Sequence, residues 1–85
     1  MKNEPDKVLK IFGNSLRKIR KSRGLSQEEF AFQCGLDRTY ISGLECGIRN
    51  PTLKVLTTIA NHLEVSLSEL LLHIENNDSI NEKNH

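Results

Sequence analysis

The sequence predicts an all-α domain built from five short amphipathic helices. Two observations carry that prediction. Apolar residues recur at spacings of three and four along most of the chain, and helix-start and helix-stop residues punctuate those runs. A third observation sets the scale: 85 residues leave room for one domain with a modest core, which a partner subunit would help to complete. No strand pattern and no internal repeat interrupts the helical reading.

Val8, Leu9, Ile11, Phe12, Leu16 and Ile19 form one helical stripe, and Gly24 follows where a helix end needs it, so the first helix is placed at Asp6–Arg23. Ser26 and Glu29 then stand at capping-box spacing, each able to satisfy a free backbone N–H at the start of a second helix. Phe30, Ala31 and Cys34 face inward from that helix, and Gly35 supplies the left-handed residue for a sharp turn. Asp37 is placed to cap a third helix, Arg38–Glu45, with Leu36 before it and Ile41 and Leu44 as its inward stripe. Gly47 and the Asn50-Pro51 pair end it in a loop.

Thr52 can cap a fourth helix that carries Leu53, Leu56, Ile59, Ala60 and Leu63 on one face. A second capping box, Ser66 with Glu69, opens a fifth helix running from Leu67 to Ile74. Residues 1–74 thus form the domain, and residues 75–85, with Ile80 alone apolar, are expected to be a disordered tail.

Charge is unevenly spread. Residues 1–54 hold 11 Lys/Arg against 6 Asp/Glu, a balance of +5, whereas residues 55–85 hold one Lys against 5 acids, a balance of −4. Lys10, Arg17, Lys18, Arg20, Lys21 and Arg23 follow one another without an intervening acid, which makes the N-terminal half the candidate surface for a polyanion. No apolar stretch reaches the roughly 18 residues of a membrane span, and the N-terminal MKNEPDKVLK is charged where a signal peptide would be apolar, so a cytoplasmic protein is expected.

Cys34 and Cys46 have no second Cys or His at metal-finger spacing, so neither a metal site nor any cofactor is expected, and both read as reduced thiols. His62, His73 and His85 lie apart from any nucleophile or carboxylate constellation, which argues against an enzyme. A ligand-sensing role finds no second domain to hold a cavity.

Two short helices joined by a glycine-bearing turn, about residues 26–45, make the unit whose second helix fits the major groove of DNA. Pointing Ile41 and Leu44 inward leaves Thr39, Ser42 and Gly43 outermost, flanked by Arg38 and Tyr40. Arg38 could donate its planar fork to guanine O6 and N7, worth about 1–3 kcal/mol of discrimination. Thr39, Tyr40 and Ser42 are the other base-reading candidates, with ordinary surface hydroxyls, and for Tyr40 a core position beside Phe30, as the alternative reading. Ser26 and Gln27, at a helix N-terminus, could hold a phosphate together with the free N–H groups, while Arg49, Asn50 and Thr52 clamp the other side.

The run Leu25-Ser-Gln-Glu-Glu-Phe-Ala-Phe-Gln-Cys-Gly-Leu-Asp-Arg-Thr-Tyr-Ile-Ser-Gly-Leu-Glu45, with Gly47, Pro51, Leu56, Ile59-Ala60, Leu63, Val65 and Leu70, resembles the Cro/CI-type (XRE) helix-turn-helix family over residues 10–72. Within it, Leu36-Asp-Arg-Thr-Tyr-Ile-Ser-Gly with Arg49-Asn50 looks most like the controller proteins of bacterial restriction-modification systems. The resemblance implies a compact five-helix, lambda repressor-like domain that dimerises through its last helices on a two-fold operator, with half-sites one helical turn apart. It also implies activation of its own gene and a nuclease gene through contact with RNA polymerase, and repression once a second dimer binds. Leu67, Leu71 and Leu72 are then the interface candidates.

The same resemblance implies that Arg20 pairs with Glu45 as a structural ion pair, which leaves Arg17 and Lys18 as the phosphate candidates on the first helix. At Gly43 the sequence departs from relatives that carry a longer polar reader there. A phage-type repressor and an antitoxin acting by protein contact are the rival readings; the tail lacks the apolar anchors an antitoxin would use.

Overall fold

Hydroxyl side chains start three of the helices in the computed structural model, which describes residues 4–72 and 74. The elements are α1 (Pro5–Ser22), α2 (Gln27–Cys34), α3 (Arg38–Glu45), α4 (Leu53–Leu63) and α5 (Leu67–Leu70), with no strand among the described residues. At α2 the Ser26 Oγ accepts from Glu29 N–H at 3.0 Å while the Glu29 carboxylate accepts from Ser26 N–H at 2.8 Å. Ser66 and Glu69 repeat both bonds at α5, and the Thr52 hydroxyl accepts from Val55 N–H at α4. These bonds satisfy donors that the first helical turn leaves free.

All five helices contribute to one core. Leu16 of α1, Phe30 of α2, Ile41 and Leu44 of α3, Ile59 and Leu63 of α4 and Leu70 of α5 are fully enclosed. Cys34 packs against this cluster, and burial pushes its thiol up to about 11, so it stays protonated at neutral pH. No helix of the described residues is long and apolar enough to cross a membrane.

Three local expectations need correction. Leu53, placed on the inward face of α4 by periodicity, is 73% exposed as the first residue of that helix, and core packing begins at Val55 and Leu56. Asp37 has the extended backbone of a cap residue but its side chain makes no capping bond. The fifth helix, expected as one run to Ile74, is interrupted at Leu71 with φ −101° and ψ 7°, so α5 is continuous only to Leu70 and helical backbone returns at Leu72 and Ile74. The expectation of a disordered tail over residues 75–85, and the reading of His73, lie outside the described residues.

Candidate nucleic-acid interface

What fixes α3 is a buried polar knot behind its C-terminal turn. Arg20 Nε donates to Glu45 Oε2 at 2.6 Å and Nη2 to Oε1 at 3.0 Å, a bidentate fork, while Nη1 donates to the Leu25 carbonyl at 2.6 Å. The Gln27 carboxamide adds a fourth bond, Nε2 to Glu45 Oε1 at 3.0 Å. Arg20 is 5% and Glu45 8% exposed, so the pair is desolvated, and it stands only because each group is satisfied. One carboxylate at the end of α3 thereby ties together α1, the α1–α2 loop and the first residue of α2.

That knot changes what Gln27 can do. Its side chain, read from the sequence as a phosphate ligand, already donates one N–H to Glu45 and so serves the scaffold as well. Ser26 likewise spends its oxygen on Glu29 N–H and its backbone N–H on the Glu29 carboxylate, so it serves the start of α2 as well. Ser26, Gln27, Glu28, Arg20 and Arg38 together line an open recess of about 450 Å³ at the α2 N-terminus.

On the outer face of α3, Arg38 and Thr39 are exposed and Ser42 is half-buried. Tyr40 is also half-buried and packs on the core, so its ring is shared between scaffold and surface. Between Arg38 and Cys46 the sole acid is Glu45, and it is enclosed, so the face itself presents no negative side chain. Gly43 departs from the helical projection, which made it outermost. It is buried, because the Arg49 side chain lies over it.

Arg17 and Lys18 are exposed on α1, one turn beyond Gly13, where α1 meets the end of α3. Arg23, part of the same basic run, is committed elsewhere: its Nε donates to the Leu63 carbonyl at 3.0 Å, across to the last turn of α4. Arg49, Asn50 and Thr52 are exposed in the α3–α4 connection, with the Thr52 oxygen engaged as the α4 cap. Neither the Gln27–Glu45 bond nor the Arg23–Leu63 bond could be read from the chain, since they join residues 18 and 40 apart.

Val8, Leu9, Phe12, Asn50, Pro51, Leu56, Leu71 and Ile74 line an open, mostly apolar groove of about 220 Å³ that reaches the α3–α4 connection at Asn50 and Pro51. Of the three candidate interface leucines, Leu67 and Leu71 are half-buried against their own core and Leu72 is 49% exposed. Among the described residues no group of three or more His, Cys, Asp or Glu side chains comes together.

The helix-turn-helix family matches residues 16–70 of the chain. Control protein C.MunI of a Mycoplasma species is 52% identical over 65 residues, which cover 75% of this chain and 88% of that one. Control protein C.BamHI of Bacillus amyloliquefaciens is 45% identical over 62 residues, covering 72% and 76%. The crystal structure of the restriction-modification controller protein C.AhdI from Aeromonas hydrophila superposes with a TM-score of 0.71 at 45% identity, covering 73% of this chain and 94% of that one.

Proposed function

The chain belongs to the helix-turn-helix family, and from that premise we propose that it is the controller protein of a restriction-modification system, a DNA-binding transcriptional regulator that reads its operator with α3. The observation that carries the reading role is the outer face of α3. It is exposed, free of negative side chains, and held from behind by the buried Arg20–Glu45–Gln27 knot. A rigidly backed helix can present donors at fixed positions to base edges, which is what sequence discrimination requires.

Arg38 leads the readers, with Thr39, Ser42 and the exposed part of Tyr40 beside it. Arg17, Lys18, Ser26, Gln27, Asn50 and Thr52 surround that face as phosphate contacts, which set register and supply the salt-dependent part of affinity. Two copies meet through the α5 end, where Leu72 and the groove beside Leu71 present apolar surface, and the dimer engages a two-fold operator. Placed upstream of its own gene and a nuclease gene in the cytoplasm of a bacterium, such a dimer activates by touching RNA polymerase and represses when a second dimer fills the adjacent site.

Gel shifts with the footprinted upstream operator and a scrambled duplex, at two salt concentrations, test the reading. Arg38→Ala should weaken operator binding by about 1–3 kcal/mol and leave the scrambled duplex unaffected. Lys18→Ala should weaken both duplexes alike and lower the salt slope by about one. Equal losses on both duplexes for Arg38→Ala would remove its reading role. For the dimer, Leu72→Glu should give monomers in sedimentation, since it places an unpaired charge in an apolar contact; an unchanged dimer would exclude that face.

A further inference from the structure

Helical projection puts a DNA-facing side chain at residue 43, and the glycine there offers none. The chain fills that space from the following loop. α3 ends in a closure in which Ile48 N–H donates to the Gly43 carbonyl at 3.0 Å and Gly47 N–H to the Leu44 carbonyl at 3.2 Å. Gly47 sits at φ 78°, the left-handed conformation such a closure needs. The chain is thereby folded back along the last turn of its own helix.

In this closure the residue at 48 ordinarily packs on the side chain at 43. With no side chain there, Ile48 is left 75% exposed and the next residue takes the place. Arg49 Cγ stands 2.6 Å from where a Cβ on Gly43 would be, with Nε and Cδ at 3.4 and 3.6 Å. Gly43 is buried beneath this stem, whereas Arg49 itself is exposed.

We propose that Gly43 is a specificity-determining position that acts through Arg49: the absent side chain seats the arginine stem on α3, which offers the guanidinium to a base edge as though the helix bore it. The inference rests on α3 reading duplex DNA. A stem already laid on the helix has less rotamer freedom to lose on binding, and its planar fork can take guanine O6 and N7 together. A bare phosphate contact would need no such seat, because a point charge on a flexible stem serves it. Gly43 is a positioning residue here, and Arg49 is the group that touches DNA.

The test uses the full chain and a pool of random-sequence duplexes, with bound DNA sequenced for the wild type, Gly43→Ala, Arg49→Ala, Arg49→Lys and the double alanine variant. The wild type should enrich a two-fold sequence. Gly43→Ala, Arg49→Ala and Arg49→Lys should each lose preference by about tenfold or more at one and the same base pair of each half-site. The position read by Arg38 should be kept, and the double variant should be no worse than Arg49→Ala alone. The melting temperature of Gly43→Ala should hold or rise, since alanine favours the helix more than glycine.

A Gly43→Ala variant with an unaltered enriched sequence, or with a lowered melting temperature, overturns the inference. So does an Arg49→Ala variant that weakens all sequences alike, which would make Arg49 a phosphate contact only. A wild type that enriches no sequence would instead overturn the DNA reading on which the inference stands.

Discussion

Gly13, where α1 meets the end of α3, and Gly43, within α3 itself, each leave no room for a methyl group, but the neighbours it would strike differ. At Gly13, on the side of α1, a Cβ would stand 2.5 Å from the carbonyl oxygens of both Leu44 and Glu45. At Gly43 it would meet the Arg49 side chain at 2.6 Å. The inner obstacle is backbone, fixed by the hydrogen bonds of α3 and by the knot that anchors Glu45; the outer obstacle is a side chain that can swing away. Near-equal distances therefore mean unequal consequences, and the helix has one face built for rigidity and another that tolerates change.

The largest effect that would break this contrast is expected at the knot. Arg20→Ala removes three of the hydrogen bonds around Glu45 and Leu25 and leaves a buried carboxylate bonded to the Gln27 carboxamide without its cation. Removing one member of such a pair costs about 3–5 kcal/mol, a large share of the stability of a domain this small. Urea denaturation should show that loss as a lower midpoint. Arg20→Lys should recover little of it, because a point charge cannot reproduce the bidentate fork. A midpoint within experimental error of the wild type would mean that α3 is held by apolar packing alone.

Gly13→Ala should come next, at about 1–3 kcal/mol, since α1 and α3 must separate to admit the methyl group. The informative measurement is this variant beside Gly43→Ala in the same thermal melt. The first should fall while the second holds, and two equal shifts would dissolve the distinction between the faces.

Legibility from the sequence follows the reach of each interaction. The capping boxes at Ser26 and Ser66 span three residues, so spacing alone located them, and both ends of α3 fell where Asp37 and Gly47 punctuate the chain. Periodicity found the inward stripe of Ile41 and Leu44 on α3 and that of Leu56, Ile59, Ala60 and Leu63 on α4, but overextended the second to Leu53, because period says which face a residue occupies and not how far the core reaches along the helix. The bond from Arg23 to the Leu63 carbonyl and the share of Gln27 in the knot depend on tertiary approach, and nothing local signals them. The covering of Gly43 is intermediate. Gly47, four residues on, marks a closure that returns the loop to this turn, but only the side-chain distances show that Arg49 is the residue laid there.

The smallest effect concerns the outer end of α2, where acid rather than mutation sharpens the comparison. Hydrogen bonds from the Ser26 backbone and then from its side chain hold the Glu29 carboxyl below its ordinary value of 4.5. The Ser66 backbone and side chain do the same for Glu69, with the nearby Arg23 charge adding to it. A carboxyl lowered in the folded state binds its proton more readily in the unfolded chain, so its contribution is complete above the ordinary carboxylate range and fades as pH falls through the folded value. Both carboxyls face solvent, so the loss should be slight beside that of the buried knot. Urea midpoints of the wild type and Glu29→Gln at about pH 6 and about pH 3 measure it. The gap between the two proteins should narrow at the lower pH, since protonation abolishes the charge that the variant lacks at both. A gap of the same size at both pH values would show that the carboxylate charge contributes nothing to the start of α2.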